Sequence, residues 1–207
     1  MTRLILCFAL TVCPRVIGAS DSPAASTRFI LTSSAFTEGS AIPREFTGDG
    51  AGVNPPLEWK GAPQGTKSFA VIMHHFPHEG ESARWYWVLY HIPATITKLP
   101  KAVKGIGVNG NNCVGPDLVY APPHSKGPGV KKYTITIYAL SSLPKITLAP
   151  EKVSRDVLLS AIKDITLAKA ELNFTYDRTD LVSHEKVKDA PMAKPEPPPK
   201  PESIPFE

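Results

Sequence analysis

The chain has 207 residues, 22 of them proline, with 42% hydrophobic residues, 8% aromatic and a net charge of +4. Proline at roughly twice its usual share argues against long helices, since it lacks an N–H and fixes φ. The apolar content suffices for one packed core, no apolar heptad persists as a coiled coil requires, and the scattered Lys and Arg do not suggest nucleic acid as a partner.

The N-terminus runs Met1-Thr2-Arg3, then apolar from Leu4 to Cys13, then Pro14 to Ser20. A cationic start, a short apolar stretch and the small residues Gly18, Ala19 and Ser20 have the form of a secretory signal peptide over 1–19. The apolar run is shorter than the roughly 20 residues that span a bilayer, so no integral membrane segment is expected once it is removed. The expected location is periplasmic or extracellular. Losing Arg3 and Arg15 takes the net charge from +4 to +2, and losing Cys7 and Cys13 leaves Cys113 alone. A single thiol forms no internal disulfide, and Cys113 is read as a structural thiol.

Residues 28–180 read as short strands separated by turns. Arg28 to Ser33 is β-branched and aromatic, and Gly48-Asp49-Gly50 and Asn54-Pro55-Pro56 are turn clusters in which Asp49 reads as a turn former. Ser68 to Met73 is apolar on both faces, as in a central strand. In Arg84 to Ile92, alternation places Trp85, Trp87 and Leu89 on one side and Tyr86, Val88, Tyr90 and Ile92 on the other. Tyr133 to Leu140 alternates, with Tyr133, Ile135, Ile137 and Ala139 on one face. After Pro150, the spacing of Val153, Val157, Leu158, Ala161 and Ile162 predicts a helix over about 151–164, with Pro150 at its start. Leu172 to Tyr176 reads as a last strand. From 185 to 207, seven prolines are interleaved with Lys, Glu and Asp, the composition of a disordered tail. The fold class is mainly β, with a helix near the C-terminus.

Five motifs in order resemble the phosphatidylethanolamine-binding protein family, in its bacterial Raf-kinase-inhibitor-like branch. They are Thr47-Gly48-Asp49-Gly50 with Asn54-Pro55-Pro56-Leu57-Glu58-Trp59; Gly61-Ala62-Pro63-Gln64-Gly65-Thr66-Lys67-Ser68; Trp87 to Pro93; Lys131 to Leu140; and Leu167 to Leu172 with Thr175-Tyr176. The resemblance implies a β-sandwich of two antiparallel sheets. It also implies a small anion-binding cavity at one sheet end and some members that regulate kinases or proteases by contact.

Carried over by position, the family's Asp-Pro-Asp-Ala-Pro wall reads Met73-His74-His75-Phe76-Pro77 here. A family histidine before an aromatic residue becomes Tyr86 before Trp87, and the histidine of a histidine–arginine–tyrosine strand becomes Lys131, with Lys132 and Tyr133 following. The loop before that strand is Tyr120 to Gly129, which includes Pro122 and His124. The ligand-binding candidates are therefore His75, Tyr86, Tyr120, Pro122, His124, Lys131 and Tyr133. Lys131 has the parity of Tyr133 and Ile135, so it either lines a cavity or snorkels to its rim; the alternative is a solvated lysine at a strand start. Tyr86 is alternatively a core tyrosine with its hydroxyl satisfied.

The expected partner is a small anionic or phosphorylated ligand held without catalysis. The alternatives are regulation of a protein partner by contact and, on His75 with His78 or His124, a metal site. His74 and His75 point to opposite faces of a strand and do not readily share one ion. No nucleophile elbow, H-E-x-x-H helix or P-loop occurs. Neither a catalytic residue nor a cofactor is assigned.

Overall fold

The computed structural model describes residues 28–178 apart from 79, 126 and 128. The signal peptide read over 1–19 and the tail read over 185–207 lie outside the described residues. In chain order the elements are β1 (Ile30–Thr32), β2 (Leu57–Lys60), β3 (Ser68–His75), β4 (Arg84–Pro93), β5 (Lys98–Leu99), β6 (Val108–Asn109), β7 (Lys131–Leu140), α1 (Arg155–Ile162) and β8 (Thr166–Tyr176). Three strands form one sheet in the order β1-β2-β5, and five form the other in the order β6-β4-β3-β7-β8. Every pairing between these strands is antiparallel.

The apolar pattern dictates how these layers stack. Along β3, Phe69, Val71 and Met73 enter a core shared with Leu31, Leu57, Trp59 and Leu99 of the smaller sheet. Ala70 and Ile72, on the other face of β3, pack with Val153, Leu158 and Ile162 around α1. A strand covered on both sides has no polar face to show, which is why Ser68–Met73 reads as continuous apolar sequence. Each fully buried Phe, Val or Met side chain contributes about 1.5–3 kcal/mol relative to exposure.

The helix begins later than Pro150. Residues Pro150–Lys152 form a separate 3-10 turn, and Val153 leaves helical geometry at φ −87° and ψ 89°. Ser154 then caps α1, its hydroxyl accepting from the Val157 N–H at 3.3 Å. The predicted start at 151 took the turn and the helix as one element.

Strict alternation also fails along β4. His74 pairs with Trp85 and Met73 with Trp87, so Tyr86 is an extra residue in a β-bulge. A second irregularity lies between Phe69 and Val71, opposite His91, whose φ is +58°. Trp85 consequently packs with Val88 and Tyr90 in the helix-side core, while Tyr86 joins Trp87, Leu89 and Ile92 between the sheets. The predicted grouping of Trp85 with Trp87, and of Tyr86 with Val88, is corrected by this extra residue.

Candidate anion-binding cleft

Four strand ends meet at one edge of the five-stranded sheet. β3 ends at His75, β4 begins at Arg84, β7 begins at Lys131 and β8 ends at Tyr176. The register pairs His75 with both Arg84 and Tyr133, and Lys131 with Tyr176. A cleft of about 380 Å³ opens there, lined by His75, Pro77, His78, Arg84, Tyr86, Ser125 and Lys131. No described residue of this lining is acidic.

Each side chain has an identifiable support. The His75 ring is buried and stacks on Tyr133 at 4.9 Å, and its Nδ1 lies 2.9 Å from the Lys132 carbonyl oxygen. A carbonyl only accepts, so Nδ1 carries the proton and Nε2 of the neutral ring keeps a lone pair. Burial holds the His75 pKa below its ordinary value, and the neighbouring Lys131 and Arg84 charges add to this against the Lys132 hydrogen bond. The bulge turns Tyr86 over Tyr133, edge-on at 5.2 Å. Burial raises the Tyr86 hydroxyl above its ordinary pKa, so at neutral pH it is a hydrogen-bond donor. The Arg84 guanidinium neighbours both that hydroxyl and the Cys113 thiol, and the Cys113 N–H donates to the Trp85 carbonyl at 2.9 Å. Cys113, read as a structural thiol, thus borders the cleft wall.

Tyr133 lies beneath the cleft. Its ring is sandwiched between His75 and Phe174, the latter parallel at 5.3 Å. Its hydroxyl is fully buried, and the Tyr86 hydroxyl beside it is a weak hydrogen-bond partner that falls short of good geometry.

The remaining candidates lie elsewhere. Tyr120 is buried edge-on against Trp87 at 5.7 Å, and its hydroxyl donates to the Phe46 carbonyl at 2.8 Å. Pro122 packs toward Gly52. His124 turns to Asp49, with Nε2 3.3 Å from the carboxylate. The cleft thus brings together His75, Tyr86 and Lys131 above Tyr133, while Tyr120, Pro122 and His124 buttress the loop that carries Ser125. The Ala121 N–H donates to the Tyr86 carbonyl at 2.7 Å and the Gly48 N–H to the Pro123 carbonyl at 2.9 Å, fixing that loop. Gly48 is required there, since a Cβ at this position would sit 2.5 Å from the His124 ring.

Asp49 does more than form a turn. Its carboxylate accepts from the Tyr176 hydroxyl at 2.6 Å and from Arg178 Nε at 2.8 Å, and its carbonyl accepts from Arg44 Nε at 2.7 Å. Burial alone would raise its pKa, but the hydrogen bonds from Tyr176 and Arg178 and the Arg178 charge outweigh it, so the carboxyl lies below its ordinary value.

Arg84 escaped the sequence reading. A lone arginine at a strand start has no periodic signal, and only its register opposite His75 places it in the cleft. The histidines separate as expected of a strand: His75 faces the cleft and His74 the helix side, near Arg155. Among the described residues, no group of three or more His, Cys, Asp or Glu side chains is placed to hold a metal ion. No helix among them is long and apolar enough to cross a membrane.

A family model described as "Phosphatidylethanolamine-binding protein" matches residues 32–177. The chain belongs to the phosphatidylethanolamine-binding protein family. Among curated relatives, a UPF0098 protein of Chlamydia pneumoniae is 34% identical over 155 residues, covering 72% of this chain and 99% of its own length. The crystal structure of a phosphatidylethanolamine-binding protein homologue from Chlamydia trachomatis superposes with a TM-score of 0.65 at 27% identity, covering 72% of this chain and 97% of that one. The crystal structure of YbcL of Escherichia coli, described as a new member of the mammalian phosphatidylethanolamine-binding protein family, gives 0.64 at 26%, covering 73% and 99%. The phosphatidylethanolamine-binding protein fold therefore spans both sheets and the cleft.

Proposed function

We propose that this protein is an exported, non-enzymatic member of the phosphatidylethanolamine-binding protein family that holds a small anionic or phosphorylated ligand in the cleft between His75, Arg84, Tyr86, Ser125 and Lys131. The observation that carries the reading is the convergence of Arg84 and Lys131 on one cleft whose described lining includes no acid. An arginine offers a planar fork of donors to a phosphate or carboxylate, a lysine adds a compact charge, and the Tyr86 hydroxyl adds a neutral donor. Charge-assisted bonds of this kind are roughly twice as strong as neutral ones. Export rests on the signal-like pattern of residues 1–19. The absence of a catalytic role rests on the sequence, which pairs no acid and base.

The test is a thermal-shift series with inorganic phosphate, phosphoethanolamine, sulfate and acetate. A ligand at about 100 times its dissociation constant adds roughly 2.7 kcal/mol of stability. Phosphate or phosphoethanolamine should raise the melting temperature of the wild type, and Arg84→Ala and Lys131→Ala should each blunt the rise. If no anion shifts the melting point, or both variants respond as the wild type does, the cleft is not an anion site.

A further inference from the structure

We propose that the protein self-associates by pairing the open edge of β8 with the same edge of a second copy, around a two-fold axis through Ala170. β8 is the outermost strand of the five-stranded sheet, beyond β7. In an antiparallel strand, alternate residues direct both N–H and C=O to the same side. On the outer side of β8, Asn173 and Thr175 are already covered: Gly39 donates to the Asn173 carbonyl, Glu38 accepts from the Asn173 N–H, and Ser40 and Ile42 bond Thr175. Lys169 and Glu171 have the same parity, and their outward backbone groups have no partner among the described residues. At the other end, Leu167 is the extra residue at a register shift between Ala139 and Leu140, a bulge that interrupts the regular edge although Thr166 still pairs with Leu140. The open window is therefore short and centred on Ala170.

That window is complementary to itself. Antiparallel pairing about Ala170 sets Lys169 opposite Glu171 of the second copy, and Glu171 opposite its Lys169. All four outward N–H and C=O groups of each copy are then satisfied in two hydrogen-bonded pairs. The side chains of directly opposed residues lie on one face, where opposite charges attract and like charges repel. Within one chain Lys169 Nζ lies 2.9 Å from Glu171 Oε1, and the side chains are 62% and 41% exposed, so both can turn to a second copy without disturbing the core. A lone edge lysine would discourage pairing. A lysine followed two residues later by a glutamate instead selects one register of this chain against itself.

The steric conditions agree. On the axis, Ala170 would meet its own copy as a closely spaced pair, with Cα atoms about 4.5 Å apart, which suits a methyl side chain. Beside the edge, a groove of about 820 Å³ lies between β8 and β1, and Ile30 stands exposed in its wall. Leu167, also exposed, flanks the window. Pairing would cover these apolar side chains.

Sedimentation equilibrium of the full chain tests the proposal. The wild type should show a concentration-dependent dimer. Lys169→Glu and Glu171→Lys each create two like-charge pairs and should each weaken association on the order of tenfold. An equimolar mixture of the two variants restores both Lys–Glu pairs across a heterodimer and should associate as the wild type does. The Lys169→Glu/Glu171→Lys double variant is again self-complementary and should dimerise alone, which keeps the test open should one single variant fold poorly. A wild type that stays monomeric overturns the proposal. A dimer unaffected by the single substitutions, or a mixture no stronger than its components, also overturns it.

Discussion

Tyr86 meets Tyr133 edge-on, with ring centroids 5.2 Å apart and planes at 68°. Alternation along β4 would send Tyr86 to the helix side of the sheet. The bulge that inserts it opposite Met73 and His74 sends it to the cleft instead. Bulges recur beside functional sites because they re-aim one side chain without breaking the sheet. The arrangement leaves the buried Tyr133 hydroxyl with the Tyr86 hydroxyl as a neighbour and no hydrogen bond of good geometry. An unmade bond to a buried polar group costs about 1–3 kcal/mol. Tyr133→Phe should therefore leave the protein equally or more stable, by up to about 1 kcal/mol, in urea unfolding. A clear loss of stability would mean that the hydroxyl has a partner.

Asp49 ties the end of β8 to the loops around the cleft. Arg178 is only 8% exposed and lies 2.8 Å from the equally buried Asp49 carboxylate, so the pair is shielded from water. Asp49→Asn should cost about 3 kcal/mol in urea unfolding, in the range seen when one member of a buried ion pair is removed. The pH dependence has a definite sign. The folded pKa of Asp49 lies below its ordinary 3.8, so its contribution is complete above that value and is lost as pH falls through the folded value. Asp49→Asn should therefore flatten the loss of stability below about pH 4, and a variant with the wild-type acid slope would assign that slope to other carboxylates.

The strand faces were legible where one residue follows the next without interruption. Ser68–Met73 had to be a central strand because it has no polar face. Tyr133, Ile135 and Ile137 had to share a face because β7 carries no irregularity over them. The short strands β2, β5 and β6 carry too few residues to show a period. The helix start was misplaced because Pro150 and Ser154 are both good starting residues and only backbone geometry chooses between them. The cleft was partly legible for the same reason as β7: Lys131 keeps the parity of Tyr133. Arg84 and the aim of Tyr86 depend on a one-residue insertion, which the hydrophobic pattern cannot register. Asp49 between two glycines has a turn former's sequence, and its ring of donors comes from residues 127 and 129 positions away.

His74 gives the fold an acid-side weakness separate from the cleft. Burial, helped by the Arg155 charge, pushes its pKa from 6.5 down to about 4. Its Nδ1 is buried without a hydrogen bond. Between those two pH values the unfolded chain binds a proton that the folded chain refuses, so stability falls as the pH is lowered. The full loss from this residue is at most about 3 kcal/mol. Denaturant melts of the wild type at pH 7 and pH 4.5 should show this loss, and His74→Leu should reduce it. His75 is shifted in the same direction and retains its own part of the slope in that variant. A His74→Leu variant with an unchanged slope would place the weakness elsewhere.

The cleft should respond to acid in the opposite sense, because its histidine gains a partner when an anion binds. Free His75 is held neutral by burial and by Lys131 and Arg84, with its Nδ1 proton committed to Lys132. Protonation gives the ring a second donor at Nε2 and a positive charge. A bound anion favours that form and raises the pKa of His75 in the complex above that of the free protein. Binding then takes up a proton, and linkage requires affinity to increase as pH falls through the range between the two His75 pKa values. Sulfate is the suitable probe, because its own charge is constant over this range. Isothermal titration between pH 7.5 and 5 should show tighter binding at the lower values, with proton uptake visible as a dependence of the heat on buffer ionisation. His75→Gln should reduce both effects, leaving only what His78 in the same lining contributes, while Arg84 and Lys131 preserve residual binding. Sulfate affinity that is flat with pH, or proton release on binding, would exclude His75 from contact with the anion.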